Sequence, residues 1–147
     1  MGKRTSKIER KTNETDIHVE LNLDGQGRYE IDTGVGFFDH MLTHLSKHSK
    51  IDMTVKAKGD LHIDAHHTIE DVGICLGEAL CKALADKKGI ARYGHSIVPM
   101  EDAKAEVTVD LSGRPFLVFK AAFPSEKIGD FDVECVEEFL RSFSTVG

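Results

Sequence analysis

Val19-Glu20-Leu21-Asn22-Leu23-Asp24-Gly25 returns 88 residues later as Val107-Thr108-Val109-Asp110-Leu111-Ser112-Gly113, so the core has to be assembled from two similar units. Each copy alternates apolar with polar residues and ends in turn chemistry, the pattern of a strand with one buried face. Helical spacing follows both copies. Phe37, Phe38, Met41, Leu42 and Leu45 predict a helix over 37–48, and Phe131, Cys135, Phe139 and Phe143 continue the likeness in the second half, which sets Glu138 near His40. We read an α+β chain of duplicated β-β-α modules, the first half-domain at 1–90 and the start of the second at 91–147. At 147 residues and 40% hydrophobic content, the chain can bury one substantial core or two small halves packed together.

Local signals predict the remaining elements. Residues 18–23 and 28–31 flank Asp24-Gly25-Gln26-Gly27 and read as a β-hairpin. Two strands are expected at 52–57 and 60–63, with a bend at Lys58-Gly59. Ile69, Val72, Leu76, Leu80 and Ala83 form an apolar stripe on a helix from near Ala65 to Asp86, which Lys87-Lys88-Gly89 ends. A second hairpin is expected from 106–111 across Ser112-Gly113-Arg114-Pro115 to 116–119.

With 25 acidic residues against 19 lysines and arginines, the net charge of −6 opposes binding to nucleic acid or an anionic membrane; an anionic substrate needs a local basic pocket. No apolar run approaches the roughly 20 residues of a membrane helix, and the basic start Met1-Gly2-Lys3-Arg4 lacks the apolar core of a secretory signal. A cytoplasmic protein is expected. Cys75, Cys81 and Cys135 are odd in number and lack CxxC spacing, which points away from a disulfide framework and towards reduced core thiols.

Six of the eight histidines fall between positions 40 and 67. In His66-His67-Thr68-Ile69-Glu70-Asp71, helical geometry places His66 beside Glu70 at i,i+4, and His67 beside Glu70 at i,i+3 and Asp71 at i,i+4. Imidazole with carboxylate suits manganese, iron or zinc. Adjacent histidines diverge by about 100° around a helix, so the pair fits two metals better than one. His40, His44 and His48 share a second stripe, although His44 and His48 are equally accounted for as polar edges of an amphipathic helix. His18, His62 and His95 are isolated. Taken alone, this set would serve a metal-dependent hydrolase that activates water, or a metal-binding assembly module.

The same residues stand in an ordered series: Arg10-Lys11-Thr12-Asn13-Glu14-Thr15, then Gly34-Val35-Gly36-Phe37-Phe38-Asp39-His40-Met41-Leu42, then His66-His67-Thr68-Ile69-Glu70-Asp71. Arg92-Tyr93-Gly94, Pro99-Met100-Glu101-Asp102-Ala103 and Asp110-Leu111-Ser112-Gly113-Arg114-Pro115 follow. Over nearly the whole chain the series resembles the imidazoleglycerol-phosphate dehydratases. The resemblance implies two packed ferredoxin-like halves and a manganese-dependent dehydration of imidazole glycerol phosphate to imidazole acetol phosphate in histidine biosynthesis. It further implies two Mn2+ per active site and a 24-subunit homo-oligomer with sites between subunits. His40 and His67 then correspond to ligands of one metal, His66 and Glu70 to ligands of the other, and Glu14 to a substrate-contacting acid or base. Arg92 and Arg114, which without the resemblance read as surface arginines, correspond to phosphate-binding positions. Glu138, in Glu137-Glu138-Phe139-Leu140, stands where many relatives place another histidine ligand. The family's second HHxxE motif and basic phosphate-binding tail are absent from these 147 residues, so the second half-domain reads as incomplete, either as a partial repeat or as part of a longer chain.

Overall fold

A computed structural model describes residues 3–147. Its first half runs β1 (Thr5–Lys11), β2 (Thr15–Asn22), β3 (Tyr29–Asp32), α1 (Gly36–Ser49), β4 (Asp52–Gly59) and α2 (His66–Leu84). The four strands form one sheet in the order β1-β2-β4-β3, antiparallel except for the β3–β4 pair. That parallel pair requires a crossover, which α1 supplies. Alternation drives the burial: Ile17, Val19 and Leu21 on β2 and Met53 and Val55 on β4 turn inward against Ile69, Val72, Leu76 and Ala79 of α2. Phe38 and Leu42 of α1 close the same core.

The second half begins with β5 (Tyr93–Met100) and β6 (Ala103–Asp110), an isolated antiparallel pair. Two short strands follow, β7 (Lys127–Ile128) and β8 (Phe131–Asp132), and then α3 (Cys135–Val146). The 88-residue offset carries Thr15–Asn22 onto β6 from end to end, and Thr5–Lys11 onto β5. The chain is therefore an α+β duplication. Its halves differ in what covers them, since the inward face of β2 lies under α2 while Val98, Val107 and Val109 on the matching face of β5–β6 are exposed.

Both expected hairpins are corrected by the strand order. Residues 24–28 do turn, but Asp52 Oδ1 accepts the N–H groups of Gln26 and Arg28, each at 2.8 Å, and ties the turn to the start of β4. β4 consequently lies between β2 and β3, and β2 pairs instead with β1 across residues 12–14. In the second half β6 pairs backward with β5, and residues 116–119 form no strand. Residues 60–63 are a turn closed by the Ile63 N–H on Asp60 O at 2.8 Å, so 52–63 holds one strand rather than two. Phe131 belongs to β8 rather than to the helix that follows. All three cysteines are free, but only Cys75 and Cys135 are buried; Cys81 is exposed on α2.

Candidate metal centre

The start of α2 presents His66 and His67 in its first turn, fixed there by Asp64 Oδ1, which accepts the His66 N–H at 2.8 Å. His66 Nε2 lies 4.0 Å from Glu70 Oε2, one helical turn on. Glu138 joins them from α3: the three side chains offer donor atoms all within 4.8 Å of one another, each half-buried. The approach of the two helices depends on small residues. A Cβ at Gly73 would stand 2.9 Å from the carbonyl oxygen of Phe139, the residue after Glu138, and one at Gly77 would stand 2.7 Å from Val146 Cγ2. Phe139 in turn meets Phe38 edge to face at 5.4 Å, locking α3 against α1.

Two carboxylates and one imidazole held this close fit a borderline divalent cation such as Mn2+, Fe2+ or Zn2+, whose charge offsets the repulsion of Glu70 and Glu138. Among the described residues, neither glutamate pairs with a lysine or arginine that would do so instead.

His67 points elsewhere. Its Nδ1 lies 2.8 Å from Asp60 Oδ2 in the turn before α2. The hydrogen bond, and then the charge, of Asp60 raise the His67 pKa, with Glu14 and Asp64 adding to the effect; His67 in return lowers that of Asp60. With Nδ1–H donated to Asp60, the neutral ring keeps its lone pair on Nε2, the arrangement of a metal-binding histidine with a carboxylate behind it. Glu14 is exposed on the β1–β2 turn, close enough for its field to act on His67.

His40, exposed on α1, meets the His44 ring at 4.4 Å, and His44 stacks on His48 at 5.7 Å; none of the three joins the His66 group. Arg92 forms a fork on Asp110, Nε to Oδ1 at 2.7 Å and Nη2 to Oδ2 at 3.2 Å, and its guanidinium covers the Tyr93 ring. Arg114 is exposed near the same carboxylate and helps lower the Asp110 pKa. His18, expected to be isolated, bonds Glu20 at 3.0 Å and lies 3.3 Å from Glu9 across the β1–β2 pairing. An open groove of about 750 Å3 over Lys7, Glu20, Asp52 and Lys82 contains none of the histidines.

Sequence reasoning missed Asp60, seven residues before His67 in the turn that precedes α2. It also missed Arg10, which reaches Asp71 from β1 at 3.1 Å.

The model of the imidazoleglycerol-phosphate dehydratase family matches residues 33–147. The chain belongs to that family. A dehydratase of Jannaschia sp. is 59% identical over 98% of this chain and 74% of its own length, and one of Clostridium acetobutylicum is 58% identical over 97% and 72%. Among solved structures, the Staphylococcus aureus dehydratase superposes with a TM-score of 0.85 at 40% identity, over 96% of this chain and 77% of its own. The Pyrococcus furiosus enzyme gives 0.72 at 37% identity, over 92% and 72%. The chain is thus that of a hydro-lyase with a ferredoxin-like duplicated fold. Among the described residues, no helix is long and apolar enough to cross a membrane.

Proposed function

We propose that this dehydratase converts imidazole glycerol phosphate to imidazole acetol phosphate, a step of histidine biosynthesis, with two Mn2+ per site. The observation that carries the reading is the convergence of His66, Glu70 and Glu138 beside the Asp60-backed His67. In this reading His66, Glu70 and Glu138 hold one metal, and His40 and His67 hold the other. When bound, the metals would favour the deprotonated, electron-rich form of the substrate imidazole, which helps expel the hydroxyl, and would offset the negative charge that form carries.

The chain's own residues supply the remainder. Arg92 and Arg114 bind the substrate phosphate, a task suited to the guanidinium fork, and Asp110 orients Arg92 for it. Glu14 is the proton-transfer residue beside His67. The substrate loses a carbon-bound proton and the neighbouring hydroxyl as water, and the resulting enol ketonises with no redox change.

Within one chain His40 does not join the His66 group, which fits sites completed between subunits of a homo-oligomer, 24 in the family's full assembly. The exposed apolar face of β5–β6 suits contact with a second copy of the chain. Three free thiols and the net negative charge fit a cytoplasmic enzyme acting on a small molecule rather than on nucleic acid or membrane.

Product analysis with Mn2+ and imidazole glycerol phosphate tests the proposal. A phosphate ester lighter by one water is expected. Release of inorganic phosphate would assign a hydrolase, and Mn2+ binding without conversion would leave a metal-binding module.

A further inference from the structure

We propose that Asp71, the last residue of the HHTIED run, is a positioning residue that clamps the Glu14 turn to the start of α2. The inference rests on the reading of Glu14 as the proton-transfer residue. At i,i+4 from His67, Asp71 has the spacing of a metal ligand, yet both of its oxygens are engaged elsewhere. Oδ1 accepts Arg10 Nε–H at 3.1 Å, and Oδ2 accepts the Thr15 hydroxyl. The Asp71 side chain is only 11% exposed and Thr15 is buried.

Arg10 stands at the end of β1 and Thr15 at the start of β2, so one carboxylate grips both arms of the turn that carries Glu14. Within the turn, Thr12 Oγ1 accepts the N–H of Glu14 at 3.1 Å and of Thr15 at 3.0 Å, and the Thr12 and Thr15 hydroxyls are 3.2 Å apart. The Thr12 N–H also donates to Thr15 O at 2.8 Å. A continuous path of hydrogen bonds therefore runs from α2 through Asp71, Thr15 and Thr12 to the backbone of Glu14. A carboxylate is the side chain for this junction because it is acceptor-only and takes one donor on each oxygen without presenting a donor of its own. Burial strengthens these charge-assisted bonds. The residue after Glu70 thus fixes the distance between the turn and the metal-binding helix while contributing nothing to coordination.

Three readouts on Asp71→Asn test the assignment: calorimetric titration with Mn2+ alone, steady-state kinetics on imidazole glycerol phosphate, and amide hydrogen exchange. Unchanged Mn2+ affinity and KM are expected, with kcat lowered about 10- to 100-fold and faster exchange at the Glu14 and Thr15 amides. Thr15→Val should reproduce the loss and Thr15→Ser should restore the rate, which keeps the test decisive if Asp71→Asn folds poorly. In a Glu14→Gln background, Asp71→Asn should add no further loss. Mn2+ affinity falling with kcat, multiplied losses in the double variant, or unchanged kcat and exchange would each overturn the clamp. Wild-type turnover in Glu14→Gln alone would instead remove the reading of Glu14, an outcome distinct from a wild-type rate in Asp71→Asn where Glu14→Gln is slow.

Discussion

Asp60 spends one carboxylate oxygen on His67 Nδ1 and buries the other without a hydrogen-bond partner. A half-desolvated carboxylate is costly unless it orients something, and here it selects which ring nitrogen of His67 faces outward. Asp60→Ala is therefore expected to weaken Mn2+ binding about 10- to 100-fold in a calorimetric titration, with Asp60→Asn, which keeps an acceptor, losing less. Glu14→Gln should leave that titration unchanged and lower kcat by about 10²–10⁴, the usual worth of a positioned acid or base. The thiols separate in the same way. Burial pushes Cys75 up to about 12 and Cys135 up to about 11, whereas Cys81 is exposed. Alkylation of the folded protein at neutral pH should add one label, at Cys81, by intact mass. The i,i+4 neighbourhood of His66 and Glu70 was legible because helical spacing is local information. Asp60 and the Arg10–Asp71 pair were not, since a turn and a strand meet the helix only after the chain has folded.

Helix and strand were unequally legible for a related reason. α1 and α2 announce themselves by apolar residues every three or four positions, and the observed bounds all fall within two residues of the expected ones. Alternation on β2 gave the strand and its buried face but said nothing of its neighbours, so the nearest segment was chosen where the structure inserts β4. β1 escaped notice because Thr5-Ser6-Lys7-Ile8-Glu9-Arg10-Lys11 carries a single large apolar residue; its inward positions are filled by Ser6, whose hydroxyl donates to Ala79 O at 2.7 Å, by Ile8, and by Arg10 on Asp71. Gly77 was invisible as a contact residue until α3 was seen to cross it. Alanine there gains about 1 kcal/mol of helix propensity but drives a methyl into the Phe143 carbonyl, and overpacking of this kind costs about 1–3 kcal/mol. Because the obstacle is backbone, the second effect should win. Gly77→Ala is expected to lower the Tm and, by displacing α3, to weaken Mn2+ binding in the same titration if Glu138 is a ligand as proposed.

For the molecule as a whole, the duplication was legible from seven residues at an 88-residue offset, and its asymmetry was not. The face that Ile17, Val19 and Leu21 bury under α2 recurs on β6 as Ala105, Val107 and Val109 in the open. If copies of the chain cover one another there, Val107→Asp should reduce particle size in light scattering while leaving the far-ultraviolet circular dichroism of the first half intact. A result showing no change in size would place subunit contacts elsewhere. The same asymmetry sets an order of events in time. A two-stranded ribbon alone is marginal in water, whereas the first half packs four strands and two helices into a core that Phe131 and Cys135 of the second half complete. During synthesis from the N-terminus, residues up to about 84 can consolidate while the β5–β6 ribbon still samples extended states with two open edges. If a second copy supplies the ribbon's cover, the vulnerable interval is the wait between the first half closing and the ribbon meeting that partner, and it shortens as protein concentration rises.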